Sequence, residues 1–121
     1  MSTSVSALSP PSLRPRTDLI PHLPELREAL AQQRSFRLQQ IGELTELARH
    51  QTGARAQVVL AVRRGAVNAL ADIDTALRLM EIGEYGRCRV CATALPVHRL
   101  EVLPAAALCM ECQRQHECAD A

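Results

Sequence analysis

The chain has 121 residues, 47% of them hydrophobic, and a formal net charge of +1. That length allows one modest domain with a tail, and the near-neutral charge excludes nucleic-acid binding by an overall basic field. No run of about 18 apolar residues exists to span a membrane, and the N-terminus lacks the charged and apolar regions of a signal peptide, so a cytoplasmic protein is expected.

Phe36 and Tyr85 are the only aromatic residues of the Phe, Tyr and Trp set. Burial must therefore come from Leu, Val, Ile and Ala, which suits a narrow helical seam. All 14 basic residues are arginine, a bias read first as genomic composition, although Arg also keeps its charge in every environment.

Residues 1–17 are rich in Ser and Pro and have no period, which predicts a disordered leader or partner-binding tail. Pro24 suits the first residue of a helix, where its missing N–H is not needed. Glu25 and Glu28 follow on the favourable side of the helix dipole. From Pro24 to about His50 an apolar stripe runs through Leu23, Leu26, Leu30, Leu38, Ile41, Leu44, Leu47 and Ala48, with a polar middle at Gln32–Arg37. Gln51-Thr52-Gly53 breaks the pattern, Gly53 being the turn residue.

A second helix is expected from about Arg55 to Ile82. Val59, Val62, Ala66, Leu70, Ile73, Leu77 and Met80 step by three and four, close to a heptad seam. Ala61, Ala66 and Ala69 give it a small face for close approach. Gly83 and Gly86 end it. Two helices of roughly 27 residues, about 40 Å each at 1.5 Å per residue, joined by a short turn, imply an antiparallel hairpin over 18–82 with its tip near 50–55. A compact bundle is the competing arrangement.

Cys88, Cys91, Cys109 and Cys112 form two C-x-x-C pairs separated by seventeen residues. Two such knuckles facing each other make a tetrahedral S4 cage suited to Zn²⁺. Four protein ligands leave no position for water or substrate, so the metal is expected to be structural and the protein non-enzymatic. Two disulfides are the alternative, at odds with the missing export signal and the odd total of five cysteines. Bound zinc takes the net charge to near −1. The finger is expected over 83–114, with a tail at 115–121. His98, His116 and Cys118 are read as surface residues, Cys118 with the option of an exposed reactive thiol. Arg87, Arg89, Arg99 and Arg114 surround the knuckles, either offsetting the −2 charge of a zinc tetrathiolate or contacting acidic partners. The fold class is thus mostly α, a helical coiled-coil hairpin with a C-terminal C4 zinc-finger module.

The run Gly83-Glu84-Tyr85-Gly86-Arg87-Cys88-Arg89-Val90-Cys91, with Leu95, Arg99-Leu100, Pro104 and Cys109-x-x-Cys112, resembles the zinc finger of the DksA/TraR family. The preceding hairpin agrees with that family's coiled coil. The resemblance implies a bacterial accessory protein of RNA polymerase, which inserts its coiled-coil tip into the secondary channel and needs no specific DNA sequence. It carries the zinc-ligand role onto Cys88, Cys91, Cys109 and Cys112.

Two departures stand out. The founding members bear an acidic D-x-x-D-x-A motif at the tip, where this chain has Arg49-His50-Gln51-Thr52-Gly53-Ala54-Arg55. Asp72-Ile73-Asp74 lies too close to Cys88 to be the tip. Ala92 stands where the family usually places Gly. A tip carrying Arg49, His50 and Arg55 is drawn to phosphates where an acidic one perturbs cations, unless those side chains are merely solvated. The expectation is a zinc-stabilised transcription regulator; the alternative is a helical interaction module with a non-polymerase partner. Direct nucleic-acid binding by the Arg-flanked finger ranks below both, since no aromatic stacking platform is present.

Overall fold

The computed structural model describes residues 16–120, so the expected leader over 1–15 lies outside the described residues. A 3₁₀ turn at Thr17–His22 leads into helix α1 (Leu23–Arg49), followed by α2 (Gly53–Glu81), α3 (Val97–Val102) and α4 (Met110–Asp120). Among the described residues there is no β-strand, only an isolated antiparallel bridge between Arg87 and Ala94. No helix there is long and apolar enough to cross a membrane.

The two long helices pack side by side as an antiparallel hairpin. The predicted boundaries are met within two residues. Pro24 sits in the first turn of α1 beside Glu25. The His50 N–H returns to the Leu47 carbonyl at 3.0 Å and the Gln51 N–H to Ala48 at 3.3 Å. Thr52 is extended, and Gly53 takes φ +61°, the left-handed region open to glycine. At the far end of α2, Gly83 has φ +76°. The Glu84 N–H reaches Leu79 O at 2.8 Å and the Gly83 N–H reaches Met80 O at 3.4 Å, the crossed bonds of a Schellman cap.

The core sits where the hairpin meets the finger. Leu19, Leu26, Leu30, Ile73, Ala76 and Met80 pack with Tyr85, Cys88, Leu95 and Leu100 in one buried cluster. Tipward of Ile73, Ala66 is the one buried hydrophobic residue among those described. The polar middle of α1 is held differently: Arg34 Nε donates to Asp74 Oδ1 at 2.7 Å. Both side chains are half exposed, so the pair contributes about 0.2–1 kcal/mol.

The seam departs from a strict heptad. Val62 is 48% exposed, and half-buried Arg63 takes the inward place. Arg63 Nε donates to Thr45 Oγ1 at 2.7 Å, and that hydroxyl donates to the Ile41 carbonyl. Leu38 and Leu47, expected in the stripe, are 45% and 44% exposed. A straight helix drifts about 20° per heptad against a 3.5 repeat, and a two-helix ribbon shields only a narrow strip. Ala76, passed over in the sequence, is buried.

Both ends of the ordered unit differ from expectation. Arg16 and Thr17, assigned to the disordered leader, are structured: Arg16 Nη1 donates to Gly86 O at 2.6 Å and Leu95 O at 2.9 Å, while its other nitrogens hold Asp18. The expected tail from residue 115 continues α4. Nothing after Cys112 breaks a helix, and Glu111–Arg114, Glu111–Gln115 and Gln113–Glu117 contacts brace its surface.

Candidate metal centre

Each cysteine pair is presented by a different local device. The first knuckle begins where the chain leaves the Schellman cap: Cys88 N–H bonds Thr93 O at 2.9 Å and Ala92 N–H bonds Cys88 O at 2.9 Å. That loop reverses at Ala92, which adopts φ +64° although it is not glycine. The second pair opens α4. The Gln113 N–H bonds Cys109 O at 2.8 Å, and the Cys112 N–H points at Cys109 Sγ at 3.4 Å. The helix N-terminus turns its free amides toward this pair. The Arg89 N–H bonds Ala107 O at 2.8 Å and ties the knuckles together.

The four sulfurs of Cys88, Cys91, Cys109 and Cys112 all lie within 4.8 Å of one another. Cys91 and Cys109 stand 3.7 Å apart. Sulfurs at the corners of a tetrahedron about 2.3 Å from a central ion are about 3.8 Å apart, so the donor set fits Zn²⁺ in type, number and spacing. Cys88 is buried against the core and Cys91 faces solvent. His98, His116 and Cys118 are exposed and outside this group.

Protonation within the cluster is uneven. Burial opposes charge on Cys88, yet the backbone amides of Cys91, Cys109 and Val90 outweigh it and hold the thiol at about 6. The Thr93 hydroxyl, 3.0 Å from Cys91 Sγ, lowers Cys91. Hydrogen bonding to Cys109, then burial, pushes Cys112 up to about 12. Four like charges in so small a volume cannot all develop without a cation among them.

The arginines around the knuckles do mixed work. Arg99 Nη1 lies 2.9 Å from Met110 Sδ and Nη2 donates to Leu108 O at 3.3 Å. Arg87 Nη1 donates to Ala92 O at 3.3 Å, Arg114 pairs with Glu111, and Arg89 is exposed. Behind the knuckles, the Tyr85 hydroxyl donates to Pro104 O at 2.7 Å in a buried site. Tyr85 and Pro104 are visible in the sequence as landmarks, but their bond is not. Nothing in the sequence pairs Arg16 with carbonyls 70 and 79 positions away.

At the other end of the hairpin, Arg49 and His50 are 71% and 69% exposed on their side chains. Glu46, one turn before the tip, reaches both: 3.8 Å to Arg49 and 3.1 Å to His50. Arg55 is exposed on the first turn of α2 and has no ion pair among the described residues.

Residues 83–118 match the family profile of the prokaryotic dksA/traR C4-type zinc finger. No curated protein matches the chain. Among solved structures, the transcription factor DksA2 from Pseudomonas aeruginosa is similar at 24% identity, with a TM-score of 0.66 over 99% of this chain and 98% of that one. The anticipated fold, a helical hairpin followed by a C4 zinc finger, is thus shared along the whole chain, and Zn²⁺ is the cofactor its finger takes.

Proposed function

We propose that this protein is a zinc-stabilised, non-catalytic transcription regulator that binds RNA polymerase through its helical hairpin. One observation carries the reading: a finger matched to the dksA/traR type stands at the base of a hairpin with the same overall fold as a transcription factor. In this reading Cys88, Cys91, Cys109 and Cys112 hold the zinc. A closed S4 set supplies folding free energy and no reactive position. Arg49, His50 and Arg55 lie at the partner-facing tip. Arg49 and His50 share Glu46, so the positive charge there is weaker than the bare sequence implies, and Arg55 carries more of it.

Retention on purified core polymerase tests the proposal directly. The zinc-loaded protein should be held at micromolar concentration, and no retention there removes the polymerase reading. The second reading is a helical interaction module with a non-polymerase partner, for which exposed Val58 and Val62 offer an apolar contact.

A further inference from the structure

The tip half of the hairpin has a composition of its own. From Leu47 to Ala71 there is no aspartate or glutamate, while Arg49, Arg55, Arg63 and Arg64 all fall within it. Val58 is 63% exposed, Val62 48% and Leu47 44%. Leu47, Ala54, Val58 and Val59 line a shallow groove of about 390 Å³, with Gln51 and Arg55 at its edge. Ala54, Val58, Ala61 and Gly65 are all exposed and step by four, three and four. They form a second seam, separate from the Val59–Arg63–Ala66 strip turned toward α1. Arg55 and Arg64 flank it at the positions that, in paired helices, meet the charges of a partner; both are exposed, and neither has an ion pair among the described residues.

We infer that this face of α2 is a docking surface for an acidic amphipathic helix of a partner protein. Its apolar residues would fill the groove at Leu47, Ala54 and Val58 and continue over exposed Val62, and its Glu or Asp side chains would meet Arg55 and Arg64. Charge and composition argue against the competing occupants. A second copy aligned over the same stretch brings no carboxylate to Arg55 and Arg64, since residues 47–71 contain none. A nucleic acid would satisfy the arginines but leave the valines against phosphate and sugar, and residues 47–71 hold no aromatic side chain to stack on bases. The inference rests on the reading of the hairpin as the binding element and adds the chemistry of what it binds.

The test uses the zinc-loaded full chain and two labelled 28-residue peptides, each with leucine at alternating third and fourth positions. One carries flanking glutamates, the other lysines. Fluorescence anisotropy should show saturable binding of the glutamate peptide at roughly 10 μM, and at least about tenfold weaker binding of the lysine peptide. Val58→Asp should weaken the glutamate peptide about tenfold. Arg55→Glu with Arg64→Glu should reverse the peptide preference; both side chains are exposed, so this variant keeps its fold and its zinc even if Val58→Asp disturbs the tip. Equal binding of both peptides, displacement by a 20-nucleotide single strand, or dimerisation that Val58→Asp abolishes would each overturn the assignment. Core polymerase separates the two readings. If wild type is retained and both variants are retained equally well, the docking face is wrong. If wild type itself is not retained, the polymerase reading fails, and the peptide preference stands or falls on its own.

Discussion

Backbone geometry at single residues sets local costs in the finger. Ala92 at φ +64° holds a left-handed turn between Cys91 and Thr93, a conformation that costs a non-glycine residue roughly 1–2 kcal/mol. Ala92→Gly should therefore raise the stability of the zinc-loaded finger by about 0.5–1 kcal/mol, read as a higher midpoint in urea; a lower midpoint would mean that the methyl packs favourably. Gly86 is the opposite case. Its φ of +96° and the approach of Leu19 Cδ1 and Arg16 Nη1 leave no room for a Cβ. Gly86→Ala should cost at least about 1–3 kcal/mol through strain, and should also free the 3₁₀ turn at Thr17–His22. Faster amide exchange at Leu19, whose N–H bonds Arg16 O at 3.1 Å, would report that release. The glycine at 86 could be read from the chain as a helix terminator. Its contact with Leu19 could not, because the two are joined only by folding.

Each helix has two regimes along its length. At the base, Leu30 is 0% exposed and Ile73 2%. There the finger covers the hairpin on a third side, and burial is complete. Leu30→Ala should destabilise by about 2–5 kcal/mol, while Leu38→Ala, at a position 45% exposed, should cost less than about 1 kcal/mol. Chemical denaturation of the two zinc-loaded variants checks the contrast. The apolar spacing in the sequence treats both leucines alike, since periodicity shows which residues share a stripe but not how much of it a neighbour covers. For the same reason the spacing puts Val62 in the seam, where the structure puts Arg63. Arg63 reaches inward because its aliphatic stem can lie along the seam while Nε bonds Thr45.

Over the described residues the molecule has the cysteine cluster at its base and a lightly packed tip. Hairpin, 3₁₀ turn and finger share one core, so zinc should govern the base far more than the tip. Chelation should raise amide exchange first at Cys88, Arg89 and Leu95, whose bonds cross the finger. Uniform exchange along both helices would contradict that division. Zinc binding must also displace protons, because Cys112 holds its proton up to about 12 in the metal-free cluster and Cys88 releases its own near 6. Affinity should thus increase by at least about tenfold for each pH unit between pH 6 and 8, and acid should drive the metal out. Competition against a chromogenic chelator at three pH values measures that slope, and a flat profile would refute the displacement.

Two kinds of information can be separated here. The amino-acid order alone determined the helix limits, the turn at Gly53, the four-cysteine donor set and the resemblance of the finger, because each depends on residues near one another or on spacing that constrains ligand geometry. Only the tertiary structure decided that Arg16 clasps the finger, that Tyr85 bonds Pro104, that Glu46 shares the tip with Arg49 and His50, and that Val58 and Val62 face outward. These depend on which surfaces meet once both helices and the finger close around one core. That is a property of packing in three dimensions, and no local pattern carries it.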